Sequence, residues 1–159
     1  MMHEFLMLFQ LASTLAMVGL IWFVQVVHYP LFSKVGRSDF RDYEQSHQQR
    51  TTVVVAPLML TEAFTAVALI WLRPVGVSFL VAMAGLLLVG LLWGSTFFWQ
   101  VPAHEQLARE FDAAVHRRLV ASNWFRTTAW TARGVLVCWM CLQMLAGQPA
   151  TSTLASQIP

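Results

Sequence analysis

Charge is what this chain lacks most: only 11% of its 159 residues are Asp, Glu, Lys or Arg, less than half of the roughly 25% found in an average soluble domain. So few charges cannot cover a water-facing surface, and the shortage points to lipid. Cysteine is nearly absent as well. Cys138 and Cys141 are the only two, three positions apart inside an apolar run, which excludes a disulfide framework, and no βαβ pattern surrounds them to make a thioredoxin-like motif. Both read as small packing residues. The net charge of +2 implies no nucleic-acid partner, because the distribution of basic residues about a membrane already accounts for them. No internal repeat stands out.

What is present is apolar sequence in long runs: Phe5 to Val27, Val53 to Leu72, Val77 to Trp99, and Gly134 to Ala146 after a half-polar helical stretch. The first three match the roughly 20 apolar residues that cross a hydrocarbon core about 30 Å thick. A secretory signal peptide is the rival reading of the first run. It carries Glu4 but no Lys or Arg ahead of Phe5, is too long, and has no small-residue cleavage site, so it is expected to remain as a helix. The chain is therefore expected to be all-α: an integral membrane four-helix bundle, antiparallel and up-down-up-down, over residues 1–147, with a flexible polar tail at 148–159.

Punctuation sets the expected helix ends. Helix one should stop at Tyr29-Pro30, because proline has no N–H and restricts the residue before it. Helix two should begin near Asp39 and kink at Pro57. Arg73-Pro74-Val75-Gly76 reads as a tight turn that pairs helices two and three. Helix three should end around Val101-Pro102, and an amphipathic stretch from Ala103 to Arg118 should lead into helix four. Nine of the ten basic residues fall on one side or in the adjoining half of the membrane: Lys34, Arg37, Arg41, Arg50, Arg109, Arg117, Arg118, Arg126 and Arg133, leaving only Arg73. The positive-inside rule then places both long loops in the cytoplasm of a bacterial inner membrane and both termini on the non-cytoplasmic side.

Polar residues inside the runs carry the functional information. Counted from the non-cytoplasmic ends at about 1.5 Å per residue, His28, His47 and Asn123 lie at roughly 35–37 Å and His104 at roughly 40 Å. Helical phase groups Glu44, His47, Thr51 and Glu62 on one face of helix two. Thr14, Gln25 and His28 share a face on helix one, Thr96, Gln100 and His104 on helix three, and His116, Asn123, Arg126 and Trp130 on helix four, with Arg133 at the margin. An unpaired polar group in hydrocarbon costs several kcal/mol, so the four stripes are expected to face one another. Glu62 lies about halfway along its helix at an estimated depth close to that of Arg133, roughly 15 Å against 20 Å. The two read either as a structural ion pair that fixes register or as a proton-handling or substrate-binding pair.

Glu44-x-x-His47, with His28 and His104, is the candidate metal set: three imidazoles and a carboxylate suit iron, copper, zinc or a haem, although a ferritin-like di-iron site would need a second such pair. The alternative is a set of histidines that hydrogen-bond at the interface. His3 and His116 read as solvated. Trp71 and Trp99 read as interfacial belt residues. Trp93 and Trp130 face inward, as an aromatic wall for a flat ligand or as core packing.

The strings His28-Tyr29-Pro30-Leu31-Phe32, Val55-Ala56-Pro57-Leu58-Met59-Leu60-Thr61-Glu62, Gln100-Val101-Pro102-Ala103-His104 and Asn123-Trp124-Phe125-Arg126-Thr127 resemble those of uncharacterised bacterial four-helix membrane proteins. More distantly, the layout over about residues 5 to 145 is similar to the anthrone-oxygenase-like family, in which Val-Pro follows helix three and Asn-x-x-Arg opens helix four. That resemblance implies a lipophilic aromatic substrate and molecular oxygen, and brings no catalytic set with it.

Two functions are expected to compete. One is an oxidoreductase acting on a quinone-like or aromatic molecule from the membrane. In it Glu62, Arg126 and Arg133 would be catalytic, Gln25, Gln100, Asn123, Trp93 and Trp130 would bind substrate, and His28, Glu44, His47 and His104 would hold a metal. The other is a non-catalytic binding or accessory subunit, with a second copy or a partner membrane subunit covering an outer face. A transporter is a weaker third, since four helices without an inverted repeat offer little machinery for alternating access.

Overall fold

A computed structural model describes residues 2–147; the polar tail expected at 148–159 lies outside the described residues. The chain folds as an all-α four-helix bundle: α1 (Met2–Lys34), α2 (Phe40–Trp71), α3 (Phe79–Leu107) and α4 (Ala113–Ala146), each long and apolar enough to cross a membrane. Every helix packs against two others in a closed ring, α1 on α2 and α4, and α3 on α2 and α4. Short connections make successive helices antiparallel.

The distribution of side chains is that of a multi-pass membrane protein. Phe64, Leu80, Phe98 and Val135 are among many large apolar residues on the outside, while Gln10, Thr14, Gln25, Glu44, Glu62, Gln100, Asn123, Arg126 and Arg133 are buried. Outward apolar groups lose nothing in lipid, whereas the polar groups find partners only on one another. Cys138 is exposed and only Cys141 is partly buried, so Cys138 belongs to this outer surface and not to the packing expected of it.

Two expected helix ends move. Helix one runs through Tyr29-Pro30 to Lys34, and helix three through Val101-Pro102 to Leu107. In each case a π-helical turn precedes the proline: Val24–His28 before Pro30 and Thr96–Gln100 before Pro102. There Tyr29 N–H bonds to Val24 O and Val101 N–H to Thr96 O. Each proline then sits in the first turn of a new α segment, where a missing N–H does no harm. The stretch from Ala103 to Arg118 is accordingly divided: Ala103 to Leu107 finishes α3, and α4 starts at Ala113. Asp112 caps α4 by accepting from Ala114 N and Val115 N. The hairpins α1–α2 and α3–α4 thus share one plan, with a π turn, a proline and an Asp at the N-cap of the second helix.

At the opposite end, α2 and α3 are joined by a turn in which Val77 N–H bonds to Pro74 O and Gly76 has φ of 92°. A Cβ on Gly76 would stand 2.5 Å from Gln143 O of α4. Gly76→Ala is expected to cost at least about 1–2 kcal/mol for the left-handed backbone alone. A fall in the unfolding midpoint of detergent-purified protein checks this; an unchanged midpoint would mean that the turn is not held against α4.

Candidate functional site

The π turns decide what gathers at the polar end, where the histidines lie. One extra residue in a turn rotates everything beyond it by about 100°. His28 closes the first π turn, and beyond it Tyr29 is turned into the bundle and buried. Glu44 and His47 lie one turn apart on α2, and His104 is on the extension of α3 that the second π turn permits. The three imidazoles converge: ring centroids are 4.5 Å apart for His28 and His47 and 5.3 Å for His47 and His104.

The cluster consists of two hydrogen-bonded sets. His28 Nε2 and His47 Nδ1 are 2.8 Å apart, with Thr51 Oγ1 3.0 Å from the same Nδ1. His104 uses both ring nitrogens, Nδ1 at 2.6 Å from Glu44 Oε1 and Nε2 at 2.8 Å from the Tyr29 hydroxyl. Gln48 Nε2 donates to Glu44 Oε1 and to His104 O. Phe32 packs edge-on to His28 and His47 and closes the cluster from the α1 side. Among the described residues no three His, Cys, Asp or Glu side chains are placed to hold one metal ion. Here His28 pairs with His47 and His104 with Glu44, while Glu44 Oε2 is left without a partner.

Below the cluster a cavity of about 280 Å³ lies between α2 and α3. Its walls are Val55, Ala56 and Met59 of α2 and Trp93, Phe97 and Val101 of α3, with Ile21 and Val24 of α1 behind. Thr52, Phe97 and Val101 are exposed on the outer surface of the bundle, so the cavity opens sideways between α2 and α3. Its polar end is built from Tyr29, His47, Gln100, His104 and Arg126. Apolar walls leading to a few convergent polar groups are the usual form of a small-molecule site.

Three of the buried polar atoms at this end lack a partner: Arg126 Nε, Gln100 Oε1 and Glu44 Oε2. Arg126 Nη1 donates to Asn123 Oδ1, Asn123 Nδ2 donates to Gln25 Oε1, and Gln25 Nε2 donates to Val120 O. The guanidinium lies over the Trp130 ring, 5.0 Å from its centroid, and beside the Tyr29 phenol. Gln25, Asn123 and Trp130 therefore stand behind Arg126 and hold it; they do not line the cavity. Trp93 and Gln100, of the five expected substrate-binding residues, do line it.

Glu62 and Arg133 form the expected ion pair, Arg133 Nε to Glu62 Oε1 at 2.9 Å. The same carboxylate accepts from Thr14 Oγ1 at 2.7 Å and from Trp130 Nε1 at 2.9 Å, and Arg133 Nη1 donates to Gly85 O at 2.6 Å. One residue or more from each of the four helices meets here. Both Glu62 oxygens are hydrogen-bonded and neither residue lines the cavity, so the geometry is that of a cross-bundle lock. Gln10 extends it, donating to Thr14 and accepting from Thr65.

The sequence reading passed over Tyr29, which looked like a helix end before proline, and Gln48. His116 was expected to be solvated; it is buried, and its Nε2 lies 2.8 Å from Tyr29 O. Tyr29 stands four residues after Gln25, so ordinary helical phase already points it inward; only its place beside Pro30 concealed it. His3 is exposed and bonds Leu72 O through Nδ1. No family model, no curated protein and no solved structure matches the chain.

Proposed function

We propose that this chain takes a lipophilic, oxygen-bearing aromatic or quinone-like molecule sideways out of the bilayer into the cavity between α2 and α3. The observation that carries this reading is the pairing of an apolar mouth with a polar end where Arg126 Nε and Gln100 Oε1 have no protein partner. A buried donor and a buried acceptor left unmade each cost about 1–3 kcal/mol, which a bound oxygen or hydroxyl would relieve. The resemblance to anthrone-oxygenase-like proteins points to the same class of molecule.

The residues at the polar end can also move a proton. Tyr29, His104 and Glu44 make a continuous hydrogen-bonded line from the cavity to a buried carboxylate. A ligand oxygen that bonds Tyr29 can gain or lose a proton there while His104 passes one to or from Glu44. In an oxidoreductase this supplies protons only. Reduction of a quinone to a quinol takes two electrons and two protons, and the electrons must come from a separate membrane or soluble electron donor. We place the polar end in the cytoplasm of a bacterial inner membrane, with both termini outside, on the distribution of basic residues. With Cys138 and Cys141 replaced by serine, a cysteine at position 75 should label from outside intact cells and one at position 45 should not. The reverse pattern would invert the orientation.

Trp93 makes the binding reading testable, since a quinone beside an indole quenches its emission. In lipid nanodiscs a short-chain naphthoquinone should quench wild-type protein more than Trp93→Phe, and saturably. Ala56→Trp, which fills the cavity from α2, should remove the saturable part while leaving the helical content unchanged. Quenching that is linear in quinone and indifferent to both substitutions would mean that the cavity is not a binding site. The second reading is a non-catalytic binding subunit, in which the buried polar core around Glu62 and Arg133 fixes the helix packing.

A further inference from the structure

We infer that the molecule held in this cavity is bound as an anion, with its negative oxygen on Arg126. The inference rests on the cavity being the binding site and adds the charge state of what binds there. Its basis is a contrast between two arginines on one face of α4, two turns apart. Arg133 is 1% exposed and has Glu62 on its guanidinium. Arg126 is 6% exposed, and among the described residues no carboxylate is bonded to it. Its partners are the neutral amide of Asn123, the neutral phenol of Tyr29 and the face of Trp130. The carboxylate nearest along the hydrogen-bonded network, Glu44, is reached only through Tyr29 and His104 and is already bonded to His104 and Gln48.

A buried cation without a counter-charge is costly, and unlike lysine an arginine cannot shed its proton to escape the cost. At Glu62 the protein provides the negative charge itself. At Arg126 it leaves the guanidinium aimed into the cavity with Nε free, so the ligand is the remaining source. The chemistry that fits is a flat apolar body ending in a carboxylate or in an acidic enol or phenol. Its charged oxygen would accept from Arg126, and a hydroxyl or N–H on the same molecule could donate to Gln100 Oε1. Charge-assisted hydrogen bonds of this kind are about twice as strong as neutral ones.

The test compares matched probes in nanodiscs of zwitterionic lipid at neutral pH, each affinity corrected for partition into protein-free nanodiscs. 2-Hydroxy-1,4-naphthoquinone, ionised under these conditions, is paired with its neutral methyl ether, and both are read by Trp93 quenching. 1-Naphthoate and its methyl ester are read as competitors and separate a carboxylate preference from an enolate one. In the wild type at least one anion should bind tenfold or more tighter than its neutral partner. Arg126→Lys should keep most of that preference. Asn123→Asp, which sets a fixed carboxylate beside the guanidinium, should reduce it below about twofold while the neutral ether still binds, and so guards against a variant that merely unfolds. Equal affinity of anion and neutral partner in the wild type, or a preference that survives Asn123→Asp and Arg126→Met alike, would overturn the inference yet leave the cavity as a site for neutral molecules. Loss of saturable binding by every probe would overturn both.

Discussion

Glu62→Gln is expected to destabilise the folded bundle by roughly 3–5 kcal/mol, the cost of removing one partner from a buried ion pair. Glutamine keeps the shape of the side chain but leaves Arg133, 1% exposed, without its counter-charge. It also weakens the bonds from Thr14 and Trp130, so α1 and α4 both lose contacts with α2, α1 through Thr14 and α4 through Trp130 and Arg133. Unfolding in mixed micelles, followed by far-ultraviolet circular dichroism, measures the effect. Arg133→Met combined with Glu62→Gln should recover part of the loss, because the double variant buries no unpaired charge. Effects that simply add would break the assignment of the pair. Because the lock lies away from the cavity, whatever Glu62→Gln protein remains folded should bind cavity ligands within about twofold of the wild type.

Tyr29→Phe carries the largest effect expected on chemistry. It removes the hydroxyl that joins the cavity to His104 while keeping the ring that packs against Phe32. If protons reach the bound molecule along this line, the protein-dependent rate at which dithionite reduces a cavity-bound naphthoquinone should fall about 100-fold, the lower end of what general acid catalysis provides. Affinity should change little. His104→Gln should act in the same direction, and the double variant should be no slower than the worse single one, as expected of residues that act as one unit. Independent, multiplying losses would remove the relay, and an effect on affinity alone would reduce Tyr29 to a binding contact.

The fold was legible because lipid imposes strong rules. Four apolar runs and a single tight turn suffice to give four antiparallel helices, and the cost of a lone charge in hydrocarbon was enough to pair Glu62 with Arg133 from depth alone. Convergence of His28, His47 and His104 followed from their common height. Less legible was everything downstream of a proline. Pro30 and Pro102 carry the ordinary signal for a helix end, and the π turns that pass the chain through them leave no compositional mark in Val24–His28 or Thr96–Gln100. Tyr29 was hidden because the residue before a proline reads as a helix end, although it lies one turn after Gln25. Helical phase correctly put Arg126, Asn123, Trp130 and Gln25 toward the interior. It could not separate the wall of a cavity from the layer behind it, since that depends on how far α2 and α3 stand apart. Likewise, four metal-type side chains at one height did not reveal that their donor atoms would bond to one another.

The most direct measurement of the central claim is photolabelling with a lipophilic azido-naphthoquinone in nanodiscs, with the labelled residues identified by mass spectrometry. The account predicts adducts on α2 between Thr51 and Met59 and on α3 between Trp93 and Val101, the two walls of the cavity, suppressed by excess unlabelled quinone and absent from Ala56→Trp. Adducts confined to outward residues such as Val135 and Leu142, unaffected by competitor or by Ala56→Trp, would contradict it, for they would show the probe dissolved in lipid and the cavity empty of it.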